Sequence, residues 1–160
     1  MKSDFVGRGD GFHFIVSEAN DFIRAWPDFI AALSRFHKEG DIDMAENKLA
    51  DLSTELAVRI LKLTDCIQGH YSLSNQLERS GTSIGANIRE AQYAHGKADF
   101  IAKLQISLKE CFETEYWLEI AQKAGIISEE SAKPLLHDCG TIRRILIASI
   151  NTTKENLKRE

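Results

Sequence analysis

Residues 76–91, Gln-Leu-Glu-Arg-Ser-Gly-Thr-Ser-Ile-Gly-Ala-Asn-Ile-Arg-Glu-Ala, constrain the fold more than any other stretch. Large apolar side chains recur at Leu73, Leu77, Ile84, Ile88 and Ala91, and Ser80 and Asn87 fill the same face at three- and four-residue steps. That is the period of an amphipathic helix. Between these positions lie Gly81, Thr82, Ser83, Gly85 and Ala86, poor choices for a helix that stands alone. Each interior glycine costs about 1 kcal/mol relative to alanine, so this helix exists only if packing offsets the loss. Small side chains also let a second helix come close. The stretch therefore predicts a centrally placed helix with close approaches at Gly81 and Gly85.

Three further stretches carry the same period. A first helix over 45–67 would bury Leu49, Leu52, Leu56, Ile60, Leu63 and Ile67, with Gly69 stopping it in the left-handed conformation that glycine adopts at least cost. The glycine-bearing helix follows, with Ser72 or Ser74 as N-cap, and ends near His95-Gly96. A third helix over 97–124 places Ile101, Leu104, Leu108, Cys111, Leu118 and Ala121 on one seam, with Glu115 on the same line and Gly125 as the stop. A fourth over 131–157 aligns Leu135, Leu136, Cys139, Ile142, Ile145, Leu146 and Ile150. With Ser131 as its cap, Pro134 falls in the first turn, where the missing N–H has no intrahelical partner. Short connections favour antiparallel neighbours, so residues 44–160 are expected to form an all-α, antiparallel up-and-down four-helix bundle.

Residues 1–43 read differently. They hold six of the eight phenylalanines together with Trp26, and five basic against eight acidic side chains give them a net charge of −3, out of −4 for the whole chain. A helix is expected from Ser17 onward, interrupted by Pro27 and ended by Gly40. This extension is either an appendage that packs on the bundle or binds a partner, or translated sequence upstream of a start at Met44. The methionine at the join favours the second. The remaining 117 residues are close to neutral, which argues against a general nucleic-acid coat and leaves room for a local basic patch.

Cys66, Cys111 and Cys139 are widely spaced, without a C-x-x-C pair. No basic segment leads into an apolar run at the N-terminus, and no stretch approaches the ~20 apolar residues of a membrane span. These features point to a cytoplasmic protein whose cysteines serve as small buried hydrophobes.

Catalytic chemistry finds little foothold. A di-iron bundle needs inward glutamates with Glu-x-x-His pairs, and no histidine here follows a glutamate by three residues. No phosphate-binding G-x-x-x-x-G-K-[ST] loop and no Ser-His-Asp or Cys-His set is present. Glu90, Glu110, Glu113, Glu115 and Glu119 read as a solvated face, or as a buried pair matched by Arg89 or Asn87. Neither an enzyme nor a metal or cofactor site is expected. Asn87 and Glu115 are read as a structural polar core, since an amide on a seam fixes register once its partners are found; Ser80, Ser83 and Glu115 are its candidate partners. Arg79, Arg89, Lys97, Lys103 and Lys109 are the candidate nucleic-acid contacts, sparse on one chain but repeated if the chain forms a ring. Phe100, Phe112, Tyr116 and Trp117 widen the apolar surface of the third helix beyond one core-facing stripe. They are the candidate oligomer interface.

The stretches SLSNQLERSGTSIGANIREAQ and KADFIAKLQISLKECFETEYWLEIAQKAGII carry a resemblance as well. Through their Gln-Leu, Ser-Ile-x-x-Asn-Ile and Glu-x-Glu elements the chain, from about Met44 to its C-terminus, resembles the proteins named after intervening sequences of bacterial 23S ribosomal RNA genes. The resemblance implies a four-helix bundle assembled as a cyclic homopentamer. It also implies kinship with the accessory protein of diversity-generating retroelements, a basic pentamer that binds reverse transcriptase and nucleic acid. The expected function is accordingly a non-enzymatic oligomeric scaffold or adaptor. The alternative is a ring that binds RNA, DNA or a nucleic-acid-processing protein.

Overall fold

Among the described residues, four helices follow one another with short connections: α1 (Glu39–Thr64), α2 (Tyr71–Gln92), α3 (Lys97–Lys123) and α4 (Glu129–Arg159). The computed structural model describes residues 39–159, with side chains from Lys48 onward. The expectations for residues 1–38, the helix from Ser17 and the break at Pro27 among them, lie outside the described residues. No strand occurs among the described residues. All four expected helices are present, with ends shifted by a few residues. Gly40, expected to end an earlier helix, lies inside the first turn of α1.

The core is the common interior of the four helices. Leu56 and Ile60 of α1, Leu77 and Ile84 of α2, Leu118 of α3, and Ile142 and Leu146 of α4 are shielded from solvent. Burying each such side chain contributes about 1.5–3 kcal/mol. α2 meets α1 through its glycines. A Cβ added at Gly81 would stand 2.5 Å from Ile60 Cδ1, and one at Gly85 would stand 3.1 Å from Ser53 Oγ. The expectation of close approach at these two positions has its counterpart in α1.

α2 meets α3 through polar groups. Thr114 Oγ1 donates to Ser80 Oγ at 3.0 Å, and Ser107 Oγ donates to the Ile84 carbonyl at 3.0 Å. Arg79 pairs with Glu113 and Lys103 with Glu90 at the rim of the same seam. α4 adjoins α3 where Cys111 Sγ donates to the Cys139 carbonyl, and it reaches α1 through the Arg59–Asp138 ion pair.

The seam of α3 differs from the expected one. Its buried residues are Ile101, Leu104, Ser107, Cys111, Thr114, Leu118 and Ala121. Leu108 and Glu115 are only partly buried, and Ser107 and Thr114 hold the inner positions instead. A hydroxyl belongs in a core once it is hydrogen-bonded, and both of these are. In α2 Ser74 is also buried while Leu73 is half-buried, although the Ser74 hydroxyl has no hydrogen-bond partner among the described residues.

Turn chemistry accounts for the ends. Gly125 adopts φ +71°; the Ile126 N–H bonds the Ala121 carbonyl and the Gly125 N–H bonds that of Gln122. This double bond pattern is a Schellman motif, which closes α3 where expected. Gly69 also has positive φ (+77°), but it lies five residues beyond Thr64, within the connection. α2 starts at Tyr71 with His70 in the cap position and no side-chain cap, so neither Ser72 nor Ser74 caps it. At α4 the cap is Ser128 rather than Ser131, because Ser128 Oγ accepts the Ser131 N–H at 3.2 Å. Pro134 is therefore the sixth helical residue and removes a bond to the Glu130 carbonyl. Both residues are exposed, so water can take over that carbonyl.

Candidate interaction surface

The apolar surplus of α3 divides into two sets. Phe100 and Trp117 pack against the core and are half-buried. Trp117 Nε1 donates to Glu113 Oε1 at 3.4 Å, and that carboxylate also holds Arg79. Phe112 and Tyr116 stay outside, 49% and 57% exposed. Tyr116 meets the Trp117 ring edge-on with centroids 5.0 Å apart. The four residues expected to form one interface thus have two jobs. Trp117 and Phe100 widen the core, and Phe112 and Tyr116 face solvent.

α4 adds a cation to this surface. The Arg143 guanidinium lies 5.1 Å from the Phe112 ring centroid, a cation–π arrangement. Its Nε stands 3.4 Å from Glu115 Oε1, close enough for an ion pair but without a hydrogen bond. Burial pushes the Glu115 carboxyl above its ordinary value, Glu119 adds to the rise and Arg143 opposes it. Burial likewise raises Glu110, helped by the neighbouring Glu113 and opposed by Arg79. Both carboxyls are therefore costlier to ionise than free ones.

The expected polar core is not assembled. Asn87 is half-buried, and its Nδ2 donates to the Ser83 carbonyl one turn back at 2.8 Å. Glu115 belongs to the flank that faces α4, so the two residues do not meet through any described hydrogen bond. Ser83 is a partner through its backbone only. The polar contacts that do cross the interior are made by Ser80, Ser107 and Thr114. Their sequence signal was three small hydroxyl residues at seam spacing.

The basic candidates do not converge. Arg79 and Lys103 are drawn to Glu113 and Glu90, each at 2.5 Å, and Glu90 holds the Lys103 ammonium in its charged form. Arg89 turns the other way and donates to Thr54 Oγ1 on α1 at 3.2 Å. Lys97 lies at the start of α3, and Lys109 is exposed on its outer face. Cys111 and Cys139 are buried as expected, and the adjoining Cys111 thiol together with burial pushes the Cys139 thiol well above its ordinary range. Cys66, expected to be buried, is exposed just past α1, because the chain has left the helix by then. No group of three metal-ligating side chains occurs among the described residues, and no helix among them is long and apolar enough to cross a membrane.

Residues 45–148 match the family of the 23S rRNA-intervening sequence protein. Among solved structures, a protein of unknown function from the S23 ribosomal protein family of Bacteroides thetaiotaomicron is 44% identical, with a TM-score of 0.63. The likeness covers 67% of this chain and 98% of that one. No curated protein matches the chain.

Proposed function

The chain belongs to the 23S rRNA-intervening sequence protein family, and on that premise we propose that it is a non-enzymatic scaffold or adaptor, an antiparallel up-and-down bundle that closes with copies of itself into a cyclic oligomer. The observation that carries this reading is the half-exposed pair Phe112 and Tyr116 with Arg143 stacked beside them. Aromatic residues with arginine are the groups that dominate binding energy at protein interfaces. The antiparallel arrangement is supported by pairings whose numbers rise on one helix and fall on the next. Ser53 and Ile60 of α1 face Gly85 and Gly81, and Ser80 and Ile84 of α2 face Thr114 and Ser107. Three unbridged cysteines accord with a reducing, cytoplasmic setting. Five subunits follow from the family resemblance.

A second reading, a ring that binds RNA or DNA, draws on Lys109, exposed and paired with no acid among the described residues. Its repetition around an axis would concentrate positive charge. The neutralised Arg79 and Lys103 weigh against it. Light scattering on the full chain tests the first reading. A mass several times 18.0 kDa is expected, and a monomer at all concentrations overturns it. Titration with fluorescent RNA tests the second, which requires binding that weakens with salt and with Lys109→Glu.

A further inference from the structure

Described contacts run from α1 to α2, from α2 to α3, from α3 to α4 and from α4 back to α1. α1 and α3 are thus diagonal partners, and their outer faces point away from each other. Both faces carry exposed apolar residues. On α3 these are Phe112 and Tyr116; on α1 they are Val58 and Leu61, 44% and 42% exposed.

The charges around the two patches have opposite character. On α1, the sequence steps of four, three, three and four from Asp51 through Glu55, Val58 and Leu61 to Asp65 define one stripe along the helix. All five residues are exposed, so the apolar centre is bracketed by three acids. Arg59 is turned aside to Asp138, and Lys62, one turn after Val58, lies on the stripe itself, so that its three acids outnumber a single cation. On α3, Lys109 stands one turn before Phe112, and Arg143 is stacked on that ring. The acids on this flank, Glu115 and Glu119, are taken up by Arg143 and Lys123, leaving Lys109 as the uncompensated charge.

From this complementarity we infer that the acid-flanked Val58–Leu61 face of α1 docks on the Phe112–Tyr116 face of α3 in a second copy of the chain. The inference rests on the oligomer reading above and deepens it. It makes the contact heterologous, with two different surfaces of each copy engaged. A heterologous contact leaves one free surface of each kind and so propagates until a ring closes, whereas a contact of one face with itself stops at a dimer. Complementary charge steers such docking and disfavours like-on-like pairing of the acidic α1 stripes.

A mixing experiment separates the alternatives. A Val58→Asp/Leu61→Asp chain keeps only its α3 face, and a Phe112→Asp/Tyr116→Asp chain keeps only its α1 face. Circular dichroism verifies that each remains helical; serine replacements at the same positions stand in if the aspartates unfold a helix. Light scattering should show each variant alone as an 18.0 kDa monomer, and their equimolar mixture as a species of about twice that mass. Assembly of the Val58/Leu61 variant by itself would overturn the inference in favour of an α3–α3 contact. Assembly of the Phe112/Tyr116 variant alone, with the other variant monomeric, would overturn it in favour of an α1–α1 contact. Assembly of both variants separately would place the interface elsewhere, and a mixture that stays monomeric while the wild type assembles would show that these two faces do not dock on each other. A monomeric wild type would instead remove the oligomer reading itself.

Discussion

The two seams of α2 hold by different physics. Towards α1 it offers Gly81 and Gly85, and the contact is one of backbone against Ile60 and Ser53 with almost no room to spare. Towards α3 it offers Ser80 and the Ile84 carbonyl, met by the hydroxyls of Thr114 and Ser107, with ion pairs at the rim. The first seam depends on volume, and an added side chain there must displace Ile60 or Ser53. The second depends on donors and acceptors finding each other and tolerates changes that keep shape. A single helix can carry both because helical period turns glycines and hydroxyls to different sides.

The largest effect is expected at the glycine seam. Gly85→Leu forces a branched side chain against Ser53 and should destabilise by about 1–3 kcal/mol in chemical denaturation. Gly81→Leu should be similar, but its obstacle is the end of the Ile60 side chain. Ile60→Ala should therefore recover part of the loss, read as a coupling energy in a double-mutant cycle. Strict additivity of the two changes would show that α1 and α2 are not in contact there.

The hydroxyl seam should respond less. Thr114→Val keeps the shape, removes the donor to Ser80 and should cost about 0.5–1.5 kcal/mol. Ser80 Oγ retains its own bond to the Gln76 carbonyl at 2.8 Å, while the contact of the Thr114 hydroxyl with the Glu110 carbonyl at 2.8 Å is lost together with the one to Ser80. A loss as large as that at Gly85 would mean that the second seam, too, is limited by volume.

A smaller effect should appear with pH, on the flank of α3 beyond either seam. Glu115 and Glu110 are raised above the ordinary 4.5, in each case first by burial. A raised carboxyl keeps its proton in the folded state after the unfolded chain has released it. Its contribution is present below the ordinary value and lost as pH rises through the raised native one. Urea midpoints measured from pH 4 upward should fall across that window, and Glu115→Gln should flatten the decline. An unchanged slope in the variant would assign the pH dependence to other groups. The smallest effect is expected from a chain beginning at Met44, because every contact named on both seams is made by later residues. Its helicity per residue and its melting should stay close to those of the full chain.

Much of this was legible in the residues alone, and for a local reason. A helix declares itself through its period and its caps, which depend on neighbours within a few positions. The four elements and the Gly125 stop could therefore be read directly. The cap of α4 was misplaced by three residues because Ser128 and Ser131 are equally able caps in sequence, and only backbone geometry decides between them. What tertiary structure alone decided was the rotation of α3. Leu108 with Glu115 and Ser107 with Thr114 mark adjacent stripes, and hydrophobicity favours the first. The second faces inward because the Ile84 carbonyl and Ser80, on another helix, complete the hydroxyls' hydrogen bonds and so remove the cost of burying them. The same rotation sends Glu115 to Arg143, leaves Asn87 to bond its own helix, and turns Phe112 and Tyr116 outward to where a partner can reach them.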